Sequence, residues 1–187
     1  YFSRDEKGAL PDFIKTLLIK RTRLLSGARN KMDALQKAIE DLGEKKLKFE
    51  KALIYCGDGK VVDDSNDYLR NIEEVTELLY RMGFLVNKIT YEENREQRDA
   101  SVEALKDGEI QGLVAIRCMD EGIDIPDARL GFIMASSTNP RQFVQRRGRL
   151  LRTATGKKYA YIFDFVVNPP DLSAYAPDGN AYKKIER

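Results

Sequence analysis

Histidine is absent from all 187 residues, and that absence removes a broad set of chemistries. Without imidazole there is no ordinary neutral-pH acid–base group, no histidine metal ligand and no Ser-His-Asp triad. Cysteine is scarce. Cys56 and Cys118 stand far apart and each closes an apolar run, so they read as small buried hydrophobes rather than a disulfide or half of a metal site. That suits a reducing cytosol, and the expected location is cytoplasmic, in a prokaryotic cytosol or nucleoid. No apolar run approaches membrane-spanning length and no signal peptide is visible, so no membrane partner is expected. Net charge is small at +2, but its distribution is uneven. From residue 128 to 163 there is no carboxylate, while Arg129, Arg141, Arg146, Arg147, Arg149, Arg152, Lys157 and Lys158 accumulate. A one-sign stretch of this kind attracts anions despite near neutrality overall.

Within that stretch lies Gln145-Arg146-Arg147-Gly148-Arg149-Leu150-Leu151-Arg152. Arginine presents a planar fork of donors that stays charged at any physiological pH and suits phosphate. Arg149 and Arg152 are three apart, so on one helical turn their forks face the same way. Two guanidiniums aimed at one point repel unless an anion sits between them. Basic runs are more often solvated faces or generic nucleic-acid patches. Here Phe143, Val144, Leu150 and Leu151 interrupt the run at buried-looking spacing, so the expected helix packs one side into a core and presents arginines from a fixed position.

The first 50 residues read as a helical hairpin. Leu10, Phe13, Ile14, Leu17 and Leu18 repeat at helical spacing, Leu24 and Leu25 continue the stripe, and Gly27 supplies a stop. A second helix carries Met32, Leu35, Ile39 and Leu42 and ends at Gly43, with Lys31, Asp33, Lys37, Glu40 and Asp41 mostly on its opposite side. So short a hairpin cannot bury both stripes alone, and should pack on the rest of the chain or on a missing neighbour. From Ala52 the rhythm changes to short apolar runs at 52–56, 84–89, 112–116, 130–135 and 159–166. Amphipathic helices fall between them: one carrying Tyr68 to Met82 and closed by Gly83, one over 95–106, and the arginine helix opened by Asn139-Pro140. Alternation at this spacing indicates βαβ units: an α/β, doubly wound parallel sheet with helices on both faces, preceded by the hairpin. After Val167, Asn168-Pro169-Pro170 and the polar residues to 187 read as a tail.

Ligands of such sheets bind at the carboxyl ends of strands, and the special residues are expected there. Gly57-Asp58-Gly59, Arg117 through Asp124, and Ser136-Ser137-Thr138 each follow a strand. Gly122 permits close backbone approach and Asp124 could accept from a ribose hydroxyl. Taken singly, Gly122-Ile123-Asp124-Ile125-Pro126 is only a turn signal.

Taken in order, these segments resemble the motifs of superfamily 2 helicases and translocases. Residues 52–59 resemble motif IV, 114–126 motif V, and 145–152 motif VI (Q-x-x-G-R-x-x-R), over about 51–167 with matching separations. The resemblance implies the second RecA-like domain of an ATP-driven nucleic-acid motor, with residues 1–50 as linker from an upstream ATPase domain and 168–187 as tail. Gly148-Arg149-Leu150-Leu151-Arg152 and the leading Arg23…Ala28-Arg29-Asn30-Lys31 look most similar to the xeroderma pigmentosum B type and restriction-subunit helicases, which implies DNA. The opening Tyr1 in place of Met is read as a sign of excision from a longer chain.

Carried over residue by residue, the resemblance implies that Arg152 is the arginine finger on the γ-phosphate. Arg149 is its partner on the phosphates, and Gln145 is the polar residue near the attacking water. It implies nucleotide contact by Gly122 and Asp124, and nucleic-acid backbone contact by Gly57, Asp58, Arg117 and Ser136. Ile116 stands where many members carry threonine, and Arg117 could replace that contact. ATP with Mg²⁺ is the implied ligand, held mainly by the upstream domain. Gly57-Asp58-Gly59-Lys60 is followed by Val61 rather than Ser or Thr, so it is no Walker A loop. Asp120-Glu121 lies in the motif V segment, not at a Walker B strand. A monomeric fragment that binds ATP weakly and hydrolyses none is expected. An RNA track, or a non-catalytic nucleic-acid-binding module of the same fold, remains open beside the DNA reading.

Overall fold

The computed structural model describes residues 11–26, 28, 30–56, 67–116, 125, 127–134 and 140–167, the side chains at 19, 21–26, 67–70, 140–143 and 146 excepted. The elements are α1 (Asp12–Ser26), α2 (Asn30–Glu44), β1 (Ala52–Tyr55), α3 (Asp67–Arg81), β2 (Val86–Ile89), α4 (Arg95–Asp107), β3 (Gly112–Ala115), β4 (Leu130–Ile133), α5 (Pro140–Leu150) and β5 (Tyr161–Asp164). The five strands form one sheet in the order β2-β3-β1-β4-β5, and every pairing is parallel. In β1 every residue is buried, as an inner parallel strand covered on both faces requires.

Side-chain alternation along the strands sorts the core into two layers. Ala52, Ile54, Cys56, Val114, Leu130 and Phe132 face α2 and α3, which contribute Leu35, Ile39, Leu42, Ile72, Val75 and Leu79. Leu53, Tyr55, Leu113, Ala115 and Ile133 face the other way, onto Val102 and Leu105 of α4 and Leu150 of α5. The result is the expected RecA-like architecture with helices on both faces. The last strand alternates likewise, with Phe163 and Phe165 against the first layer and Ile162 against the second, while Tyr161 and Val166 are exposed. Phe132 and Phe163 stack with ring centroids 4.9 Å apart.

Punctuation follows the local chemistry. Gly83, at φ 86°, lets α3 close and turn directly into β2. A capping box opens α4: the Asn94 side chain accepts from the Gln97 amide, and the Gln97 side chain accepts from the Asn94 amide. Two strands start later than the apolar runs that predict them. At Leu85 the amide donates to the Gln111 side chain, so regular pairing starts at Val86. At the far edge Tyr159 is exposed, and pairing starts at Tyr161.

One assignment of faces is overturned. Lys31, expected on the polar side of α2, is buried on the same stripe as Leu35, Ile39 and Leu42. Its spacing of four from Leu35 puts it there. The ammonium is tolerated because it donates to the Met134 carbonyl at 2.6 Å, past the end of β4.

Candidate functional site

The arginine helix begins with Pro140, where the missing N–H costs no helical bond. It runs back across the sheet, opposite in direction to the strands on either side of it in sequence. Its seat is set by one pair of residues. A Cβ built on Gly131 of β4 would stand 2.1 Å from Leu150 Cδ1 and 3.0 Å from Cδ2. Leu150 therefore occupies the volume that any other residue at 131 would fill. It is 0% exposed, while Val144 and Leu151 are 66% and 61% exposed. The expectation that Val144 and Leu151 help anchor the helix is thus corrected: at the described side chains the anchor is Leu150, and those two lie on the outer surface. The Phe143 side chain lies outside the described set. Between Val144 and Leu151, nothing lies within 4 Å of where a Cβ on Gly148 would be.

Two polar ties lock the helix. Arg147 Nη2 donates to Asp164 Oδ2 of β5 at 2.5 Å, a charge-assisted bond across helix and sheet. At the other end, Lys157 Nζ donates to the Leu150 carbonyl at 2.7 Å and the Arg152 carbonyl at 2.9 Å. The Leu150 carbonyl is among the acceptors a helix leaves unsatisfied at its C-terminus, where positive charge also suits the dipole. Burial lowers the Lys157 pKa; the Asp127 carboxylate pulls it back up and the Arg129 guanidinium pushes it further down.

Those neighbours show which edge of the sheet the arginines occupy. Arg129 precedes β4, its carbonyl accepts from the Tyr161 amide at the start of β5, and its guanidinium pairs with Glu50 and Asp127. Lys51 pairs with Asp127. The end of α5 therefore lies at the amino edge of β4 and β5. Gln145 is exposed, Arg149 half-buried and Arg152 exposed on this helix and the turn after it. The end of α5 thus lies at the edge opposite the strands' carboxyl ends. The reason is geometric: eleven helical residues rise about 16 Å, enough to carry the chain from one edge to the other.

At the opposite, carboxyl edge the strands end on ordered backbone bonds. The Cys56 amide donates to Ala115, Ile116 to Ile89 and Met134 to Tyr55, at 2.8, 3.2 and 2.9 Å. The segments that leave from these ends contain Gly57, Asp58, Arg117, Gly122, Asp124 and Ser136, all outside the described residues. Ile116 ends the run of β3 at the carboxyl edge, and Asp127 lies at the amino edge before β4. Lys31 and Cys56 sit beneath the carboxyl edge. Burial lowers the Lys31 pKa, with a small opposite pull from Cys56, and burial pushes the Cys56 thiol up to about 12. Cys56 is accordingly an inert buried thiol. Among the described residues no group of acidic, thiol or imidazole side chains could hold a metal ion. No helix of the described residues is long and apolar enough to cross a membrane.

Lys31, Gly131, Arg147 and Lys157 are structural determinants of the site that motif reading passes over. Only Lys31 carries a sequence signal, its place on the apolar stripe of α2.

Comparison with known proteins agrees with this fold. The helicase conserved C-terminal domain matches residues 30–154. The DNA 3'-5' translocase XPB2 of Sulfurisphaera tokodaii is 39% identical over 79 residues, which cover 41% of this chain and 18% of the relative. The pre-mRNA-splicing ATP-dependent RNA helicase PRP28 of Cryptococcus neoformans var. neoformans is 37% identical over 82 residues, covering 44% of this chain and 11% of the relative. UvrABC system protein B of Nitratidesulfovibrio vulgaris is 32% identical over 101 residues, 49% of this chain and 14% of the relative. The chain thus spans under a fifth of each of these relatives. In fold, it is similar to the C-terminal domain of the DEAD-box protein Dbp5 (TM-score 0.58, 17% identity, 83% of this chain and 79% of that one). It is also similar to the C-terminal part of the Fun30 ATPase domain (TM-score 0.58, 17% identity, 79% of this chain and 48% of that one). The chain belongs to the helicase conserved C-terminal domain family, the second RecA-like lobe of superfamily 2 helicases.

Proposed function

We propose that this domain is the C-terminal lobe of an ATP-dependent DNA helicase or translocase acting in repair or restriction. In this reading Arg152 is its arginine finger and Arg149 the second phosphate ligand. The observation that carries the proposal is the seating of α5. Leu150 over Gly131, with the Arg147–Asp164 and Lys157 ties, holds the Arg149–Arg152 turn at one edge, on the side where Asp127 faces Lys157. A preorganised guanidinium can stabilise charge developing on a transferred phosphoryl group without reorganising at the moment of reaction. Gln145, one turn earlier, orients the attacking water. Gly122 and Asp124 contact the nucleotide. Gly57, Asp58, Arg117 and Ser136 grip the phosphate backbone at the opposite edge.

The reaction needs a first RecA-like lobe that holds ATP and its Mg²⁺. That lobe lies outside residues 51–167, with residues 1–50 as the approach and 168–187 as a tail. Opening and closing of the two lobes steps the backbone grip along a strand, in the cytoplasm. DNA is preferred over RNA because the matches include the DNA 3'-5' translocase XPB2. The match to an RNA helicase keeps RNA as the second reading, and ATPase stimulation by duplex DNA against structured RNA separates the two. In the full-length protein, Arg152→Ala should cut nucleic-acid-stimulated ATPase by about 10³- to 10⁵-fold while leaving the fold intact. Undiminished turnover would remove the finger. An ATPase-dead wild type that still binds nucleic acid in a salt-sensitive way would favour a non-catalytic module.

A further inference from the structure

We propose that Lys157 is a positioning residue for Arg152, setting the backbone direction from which the finger projects. The proposal rests on the reading of Arg152 given above. Arg152 lies beyond the last residue of α5, and its amide reaches the Arg149 carbonyl at only 3.5 Å. The helix by itself therefore holds this residue weakly. Lys157 supplies what is missing. Its ammonium donates to Leu150 O at 2.7 Å and to Arg152 O at 2.9 Å, so it fixes two carbonyls on either side of Leu151.

The lysine is itself brought back by a turn in which Gly156 adopts φ 75° and the Lys157 amide donates to Ala154 O at 3.0 Å. Leu150 is locked against Gly131. A continuous chain of contacts thus runs from β4 through Leu150 and the Lys157 ammonium to the Arg152 backbone. The compact ammonium, with three donors, suits two converging carbonyls better than a planar guanidinium does. A misplacement of about 1 Å at a charge-stabilising group can cost about 100-fold in rate, so the tie matters to turnover beyond its contribution to folding.

The test uses the full-length ATPase with Lys157→Met, Arg152→Ala and the double variant, read by single-turnover ATP hydrolysis, KM for ATP and thermal unfolding. Lys157→Met keeps the apolar stem and removes the donors. It should lower the hydrolysis rate by about 10- to 100-fold with KM within about threefold. In the double variant it should add nothing to the Arg152→Ala loss, because no finger remains to be aimed. Unchanged turnover in a folded Lys157→Met protein overturns the proposal. So does a loss that multiplies fully with that of Arg152→Ala, since a general weakening of the fold would act that way. If Lys157→Met fails to fold, Lys157→Gln, which replaces the ammonium by a shorter, neutral amide, carries the same comparison. An inactive Arg152→Ala beside an active Lys157→Met removes only the positioning role. Undiminished turnover in Arg152→Ala removes the finger and the positioning role together.

Discussion

Replacing Gly131 by alanine tests the seat of the arginine helix with an unusually clear sign. A glycine inside a strand ordinarily weakens it by about 0.5–1 kcal/mol relative to alanine, so in open space Gly131→Ala would stabilise. Here the new Cβ would lie 2.1 Å from Leu150 Cδ1 and 3.1 Å from its Cγ, against about 3.5–4.0 Å for relaxed carbon contacts. Leu150 would have to retreat by well over 1 Å, by arithmetic on these distances. It cannot do so alone, because it is wholly buried with Leu53, Tyr55 and Ile133. Either its rotamer or α5 itself must shift, a change that costs about 1–3 kcal/mol. Leu150→Ala alone leaves a cavity and costs about 2–5 kcal/mol. Combined, the two changes should cost less than their sum by about 0.5–3 kcal/mol, since the methyl added at position 131 enters the space Leu150 vacates. Urea unfolding of the four proteins, with m values compared, gives the cycle. Stabilisation by Gly131→Ala, or additivity within about 0.5 kcal/mol, would show that Leu150 does not stand over residue 131.

Two further perturbations probe other parts of the fold. The Cys56 thiol, pushed by burial from 9.0 to about 12, keeps in the native state a proton that the unfolded chain loses. Stability should therefore fall as pH rises through that window, by at most about 1.4 kcal/mol per unit. The lowered Lys31 pKa works in the opposite sense and softens the slope below its ordinary 10.5. Cys56→Ala should flatten the alkaline limb in urea midpoints from about pH 8 to 11; identical limbs would contradict the assignment. At the start of α4, Asn94→Ala removes the capping box and should cost about 1 kcal/mol. An unchanged unfolding midpoint would mean that the cap is solvated at no loss.

The alternation of short apolar runs with amphipathic helices made the sheet, its parallel sense and its helical cover legible, because burial on both faces leaves a direct mark in residue type. Strand order was not legible: every inner strand is uniformly apolar, so nothing in Ala52–Tyr55 or Gly112–Ala115 names its neighbour. The arginine site was half legible. Its residues announced themselves by charge and spacing, but the edge they occupy depends on the run of α5, and its anchoring depends on the absence of a side chain at Gly131. Lys157 was invisible as a tie because its acceptors are backbone carbonyls, which every residue has. Val144 and Leu151 misled for the converse reason: an apolar residue on a helix is a weak sign of burial when the helix has an outer surface to present.

The arrangement of β3 and β4 has a consequence for how such a motor would fail. The chain leaves the sheet beside Ile116 at one edge and re-enters beside Ala128 at the other, both ends held by backbone bonds. Under the proposed function, one edge handles the track and the other the fuel, and a single covalent segment is anchored at both. A lesion at Arg117, on the track side of that segment, should then behave as a slipping clutch: ATP is still consumed, but fewer nucleotides are travelled per molecule hydrolysed. Lesions in α5 should instead stall the engine outright.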